Sequence, residues 1–120
     1  MKELEYIHIT MIDPSFVFKI KSDFLKALSH PGRLKIIEHL KRGERSVNEM
    51  GKALEMEQSS LSKHLAILKQ AGILNSRQQK VTVFYSVRDK GIYDVLRHVS
   101  LFLKKKLREG QEVLDHLAKE

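Results

Sequence analysis

The stretch QSSLSKHLAILKQAGIL, residues 58–74, decides how the rest of the chain is read. On a helix advancing about 100° per residue, Leu65, Leu68 and Gly72 fall within about 40° of Leu61 and form one apolar stripe. Ser59, Ser62, Lys63, Ala66 and Gln70 gather on the opposite side. That outer face is polar and mostly short-chained, as a helix needs when its backbone must come close to something negatively charged and rich in hydrogen-bonding groups. The pattern predicts a helix shaped to enter a groove.

Upstream, short helices are marked off by their caps. Asp13-Pro14 offers an N-cap followed by proline at the first helical position. Phe16, Ile20, Phe24, Leu25 and Leu28 continue at helical spacing, and Pro31 ends that helix near Ser29 by disfavouring helical geometry at His30. Pro31 opens a second helix in which Leu34, Ile37 and Leu40 are expected to bury, with Arg33, Lys35, Lys41 and Arg42 in water and Gly43 as the stop. Ser46 and Glu49 form a capping box for a third helix with Val47, Met50 and Leu54 inward. The turn Glu55-Met56-Glu57 leads into the quoted helix, so the order describes a helix-turn-helix core.

Past Gly72 the period changes from helical to alternating. Residues 73–76 and 81–87 read as strands separated by a polar turn over residues 77–80, a β-hairpin placed as the wing of a winged helix. Its tip is expected to carry Arg77 and Lys80 with no nearby acid, poised for phosphates or a minor groove; an ordinary solvated hairpin end is the plainer reading. The last segment is the longest helix. Ile92, Leu96, Val99, Leu103, Leu107, Gly110, Leu114 and Leu117 recur at spacings of three and four, with Val95, Phe102 and Val113 widening the stripe. Such a face in a small protein is expected to bury against a partner copy. Arg97, Lys104, Lys105, Lys106 and Arg108 on the same helix read as a solvated face rather than a binding patch.

The expected fold class is mainly α with a small β-hairpin wing (α+β), a winged helix-turn-helix dimerising through its terminal helices. The expected organisation is an N-terminal arm over residues 1–12, a DNA-binding core over 13–88 and a dimerisation helix over 89–120. Residues 6–12 are rich in β-branched types and suit a short strand or an ordered arm.

Bulk properties agree with this outline. The 120 residues make one domain of ordinary size, and 22 Lys+Arg against 15 Asp+Glu give a net charge of +7, which suits a polyanionic partner. The start MKELEYIHIT lacks the apolar run of an export signal, and no stretch approaches the roughly 20 apolar residues of a membrane span, so a cytoplasmic location is the expectation. There is no cysteine. Disulfides, thiolate metal ligands, cysteine nucleophiles and thiol redox sensing are thereby excluded.

Two motifs carry a family resemblance. Ala27-Leu28-Ser29-His30-Pro31-Gly32-Arg33-Leu34-Lys35-Ile36-Ile37 resembles the opening of ArsR/SmtB-type transcriptional regulators, and Ser59-Ser60-Leu61-Ser62-Lys63-His64-Leu65, with Leu68 and Ala71-Gly72-Ile73-Leu74, resembles their recognition helix. Tyr85-Ser86-Val87 is similar to the end of their wing. The likeness covers about residues 23–100. It implies a homodimeric winged helix-turn-helix protein that sits on an operator, represses, and is loosened by an effector.

On that reading Gln58, Ser59, Ser62 and Lys63 meet base edges and flanking phosphates, Lys69, Arg77 and Lys80 join them, and two copies read an imperfect palindrome. His64 lies at the margin between core and groove, open to a helix-packing hydrogen bond or a DNA contact. The family's arsenite sensors use cysteines in the helix before the recognition helix; here that stretch, Ser46-Val47-Asn48-Glu49-Met50-Gly51-Lys52, has none. The zinc and cobalt sensors use four positions of the last helix, which correspond here to Asp89, Gly91, Phe102 and Lys105. One ligand of four does not hold a metal, so no metal and no other cofactor is expected.

Asp94 with His98 and Glu112 with His116, each four apart, remain weaker metal candidates, and plain side-chain hydrogen bonding is the simpler account. His8 and His30 rank lower, and the sequence supplies no partner for a histidine pH sensor. Phe16, Phe18, Phe24 and Phe102 could line an apolar effector pocket between the first and last helices, though aromatics at helical spacing are ordinary core. An enzyme is the main competing class, and there is no P-loop, no Gly-rich dinucleotide turn and no nucleophile elbow. The remaining alternatives are a metal-responsive repressor with non-standard His/Asp/Glu ligands and a winged helix used for protein contacts.

Overall fold

The computed structural model of the chain describes residues 13–119. The expected arm, with His8, lies outside the described residues. The chain divides between Arg88 and Asp89 into two units.

In the first unit, α1 spans Pro14–Leu28, α2 Pro31–His39, α3 Val47–Leu54 and α4 Gln58–Gln70. A 3₁₀ turn, Leu40–Arg42, follows α2. Caps set these limits. Asp13 accepts from the Ser15 backbone N–H at 2.9 Å. The Nδ1 of His30 accepts from the Gly32 N–H at 2.9 Å. At α3 the capping box is complete, with Ser46 Oγ accepting from Glu49 N at 3.1 Å and Glu49 Oε1 accepting from Ser46 N at 3.5 Å. α4 stops in a Schellman arrangement: Ile73 N donates to Leu68 O and Gly72 N to Lys69 O, both at 3.0 Å. Gly72 has φ +76°, so a glycine is needed to turn the chain out of α4.

Three strands complete the unit. β1 (Arg45–Ser46), β2 (Leu74–Gln79) and β3 (Thr82–Val87) form an antiparallel sheet in the order β1-β3-β2. Arg45 pairs with Tyr85 and Ser46 with Phe84, so the residue that caps α3 is also a sheet residue. β1 went unread in the sequence because two residues show no alternation. β2 and β3 pair from Leu74↔Val87 to Gln79↔Thr82, which leaves Lys80 and Val81 as a two-residue turn. The expected four-residue turn is thereby corrected: Arg77, Gln78 and Gln79 are ladder residues of β2.

The core gathers Ala27 and Leu28 of α1, Ile36 and Ile37 of α2, Leu40, Met50 of α3, the Leu61/Leu65/Leu68 stripe of α4, and Ile73 and Leu74. Val47 and Leu54 are half-buried. Two expectations for α2 need correction. Ile36 is fully buried whereas Leu34 is 39% exposed, and Arg33 is half-buried rather than wet. The apolar run Leu34, Ile36, Ile37 admits two phases of one helix, and periodicity alone did not choose between them. Most of α1 is uncovered, with Phe16, Val17, Phe18, Ile20 and Leu25 exposed.

The second unit is α5, Gly91–Ala118, 28 residues or about 42 Å of helix. Ile92 is its buried residue. Val95, Val99, Phe102, Leu103, Leu107, Val113, Leu114 and Leu117 form an exposed apolar face. No described helix is long and apolar enough to cross a membrane.

Because Leu65 is 1% exposed in the middle of the α4 stripe, Leu65→Ala is expected to destabilise the domain by about 2–5 kcal/mol through lost burial and a residual cavity, measured as a lower midpoint in urea.

Candidate nucleic-acid interface

The inward stripe of α4 fixes what faces outward. Gln58, Ser59, Ser62 and Lys63 are all exposed on its first two turns, whereas Leu61 and Leu65 are 0% and 1% exposed. Glu57, the residue before the helix, makes no side-chain cap. The first-turn N–H groups and the positive end of the helix dipole therefore face whatever approaches this end. Gln58 and Ser62 also line a cleft of about 350 Å³ walled by Val47 and Asn48 of α3 and by Val83 and Tyr85 of β3. Asn48 and Tyr85 are polar groups that sequence reasoning did not nominate. Tyr85 had one signal, its place in the wing motif; a single asparagine on α3 had none.

Two nominated cations on the wing side are held internally. Lys69 Nζ donates to Ser76 Oγ at 2.7 Å, strapping the end of α4 to β2. Arg77 Nε donates to both Glu44 carboxylate oxygens, at 3.0 and 2.8 Å, and its Nη2 donates to Oε1 at 2.6 Å. Its guanidinium lies 4.5 Å from the Phe84 ring centroid, and its Nη1 donates to Gln79 Oε1 at 3.1 Å. The expectation of an Arg77 with no nearby acid is therefore corrected. Glu44 is 33 residues away in sequence, where no local pattern reaches. The turn keeps Lys80, exposed and at φ +57°, beside Val81 at 94% exposure.

His64 faces α2. Its ring centroid is 4.4 Å from that of His30, with the rings tilted by 47°. A Cβ on Gly32 would lie 3.1 Å from His64 Nε2 and 3.2 Å from His30 Nδ1, so a side chain there would crowd the pair. The contact joins ring to ring, with no hydrogen bond at the buried His64 Nδ1. Burial, and then the positive character of His30, Arg33 and Lys63, hold the His64 pKa below its ordinary 6.5.

On α5 the metal candidates are otherwise engaged or exposed. His98 Nδ1 is 2.7 Å from the Asp94 backbone oxygen, and the Asp94 carboxylate pairs with Arg97 at 3.5 Å. This corrects the expected Asp94–His98 pairing of side chains. Glu112 and His116 share one open surface of the helix. Asp89 Oδ1 accepts from Gly91 N at 2.8 Å, a helix-start bond, and the family's other three metal positions hold Gly91, Phe102 and Lys105. Those residues do not fit a four-ligand metal site. Of the aromatics considered for an effector pocket, Phe16, Phe18 and Phe102 are exposed and Phe24 is half-buried.

A helix-turn-helix with a polar outward face on its second helix, followed at once by a hairpin, makes a winged helix-turn-helix DNA-binding protein. Residues 30–76 match the model of the bacterial regulatory protein, arsR family. The HTH-type transcriptional regulator Rv0081 of Mycobacterium tuberculosis is 32% identical over 102 residues, which cover 84% of this chain and 90% of that protein. Its crystal structure superposes with a TM-score of 0.70 at 31% identity, over 82% of this chain and 97% of the other. The transcriptional activator HlyU of Vibrio cholerae is 44% identical over 63 residues, 52% of this chain and 58% of that one. Its reduced form superposes with a TM-score of 0.64 at 32% identity, over 73% and 93% of the two chains. The biofilm growth-associated repressor of Agrobacterium fabrum is 38% identical over 65 residues, 54% and 56% of the two chains. The chain belongs to the ArsR family: it is a transcriptional regulator and not an enzyme.

Because the Arg77 contact lowers the Glu44 pKa below its ordinary 4.5, the contribution of the pair is complete above that value and is lost as acid carries the pH down through the depressed one. The protection of amides 74–87, taken relative to the intrinsic exchange rate at each pH, is expected to fall in acid for the wild type. In Glu44→Gln it is expected to be lower already at neutral pH.

Proposed function

We propose that the protein is a homodimeric, operator-binding repressor that reads an imperfect palindrome with α4 in the major groove and does so without the family's cysteine or last-helix metal sites. The observation that carries this reading is the open Gln58/Ser59/Ser62/Lys63 face backed by a fully buried leucine stripe. Short serines let the backbone approach, Gln58 suits a bidentate contact with adenine, and Lys63 meets a phosphate. Lys80 at the hairpin turn is the wing's contribution; Lys69 and Arg77 serve by positioning the hairpin. The dimer is supported by the exposed apolar residues that line α1 and α5. Two copies related by a twofold axis would present α4 to half-sites about 34 Å apart. Repression is proposed over activation although the named relatives include both. The core is residues 13–88, the dimerisation helix 89–120, and the location cytoplasmic.

Fluorescence anisotropy on DNA from upstream of the protein's own gene, against unrelated DNA, tests the reading. Lys63→Ala is expected to weaken binding uniformly and to reduce the salt slope by about one. Gln58→Ala is expected to cost about 1–3 kcal/mol at one base position only. A Ser62→Ala/Lys63→Ala variant that still dimerises and binds DNA unchanged would overturn the reading in favour of a protein-contact module. Chelator followed by zinc, nickel or cobalt is expected to leave operator binding as it was; release by metal would assign a site to His98 or His116.

A further inference from the structure

The His30–His64 pair joins the recognition helix to the start of α2. We propose that His64 and His30 are positioning residues that seat α4 on α2 only when both rings are neutral, so that acid unseats the recognition helix and releases DNA. The DNA half of this proposal rests on the operator-binding reading above; the seating half stands without it.

Each ring is held by a different contact. His30 Nδ1 accepts the Gly32 N–H at 2.9 Å, so that nitrogen carries no proton while the cap exists. Protonating it sets N–H against N–H and places a cation at the N-terminus of α2, where the helix dipole is already positive. His64 is half-buried against the same turn, with its Nε2 only 3.1 Å from the place a Gly32 Cβ would occupy. Its Nδ1 is buried and makes no hydrogen bond. A proton there would meet no acceptor.

Among the described residues, the charged groups that act on His64 supply no counter-charge. The groups that bear on His64 are His30 and Arg33 from the side of α2 and Lys63 from its own helix, and all three are bases. Arg33 is itself half-buried, and its Nε makes no hydrogen bond. With ring centroids 4.4 Å apart, two imidazolium rings would repel across a contact in which a Gly32 Cβ would already be tight. The sign follows from proton counting. A folded state that resists a proton the unfolded state accepts near pH 6.5 is fully stable above that value and loses stability as the pH falls below it.

This is the opposite of what a DNA-contacting histidine would do, since an imidazolium touching phosphate tightens binding in acid. The test is operator anisotropy and thermal unfolding of the full chain from pH 8 to pH 5.5 at constant ionic strength, in wild type, His64→Gln and His30→Asn. Asparagine keeps an N-cap acceptor without a titrating group, and the other histidines remain in every variant. Expected is a loss of wild-type operator affinity of about tenfold across the range, the factor carried by one pH unit of unequal proton uptake. Both variants should be flatter, and the wild-type melting temperature should fall more steeply with acid than theirs. Variants that follow the wild-type pH profile would overturn the proposal, as would binding that tightens in acid. If no DNA is bound specifically at pH 8, the operator reading fails, and the melting profiles alone decide whether the pair seats α4.

Discussion

A helix with one greasy side can be held in only one rotation, and that constraint on α4 governs the structure. Leu61, Leu65 and Leu68 are all but inaccessible, each burial stabilising the domain by about 1.5–3 kcal/mol. Turning the helix by a single residue would bring Ser62 inward and push Leu61 out, exchanging a buried leucine for a desolvated hydroxyl. The polar face is thus aimed from behind. Ile36, Ile37 and Met50 complete the packed side, and the Schellman stop at Gly72 ends the helix so that Ile73 and Leu74 enter the core at the foot of the hairpin.

The hairpin is then fastened at three heights. At its base Ile73 O accepts from Arg88 N at 2.9 Å, closing the two strand ends. In the middle, Lys69 reaches Ser76 on the side facing α4. On the opposite face Arg77, opposite Phe84 in the ladder, is clamped by Glu44. Because Glu44 directly precedes β1, the sheet edge and the wing are held by the same short connection that leads into the capped start of α3. The wing is positioned by side chains a reader of sequence would assign to a ligand.

What was legible and what was not divides along sequence distance. Helix limits marked by Asp13-Pro14, Pro31, Gly43 and the Ser46/Glu49 box were readable because caps act within four residues. The α4 stripe was readable because three leucines at spacings of four and three admit one phase. Leu34 against Ile36 was not, since neighbouring apolar residues admit two. The Glu44–Arg77 clamp and the His30–His64 contact each join separate elements, and such pairs leave no trace in spacing. The exposed quartet on α4 was readable as a face; the cleft it shares with Asn48 and Tyr85 needed the fold.

The clamp on Arg77 also bears on how a regulator finds its address. Attraction to random DNA comes mainly from cations meeting phosphates, and it sets how long a protein lingers at each wrong place while it slides and hops. A wing whose arginine is already satisfied by Glu44 presents one lysine at its turn instead of two cations. On the operator-binding reading proposed above, such a wing would grip an arbitrary duplex less and leave it sooner, so that more of the difference between right and wrong sites would rest on the side chains of α4. The ion pair would thereby shorten each unproductive stop in the search.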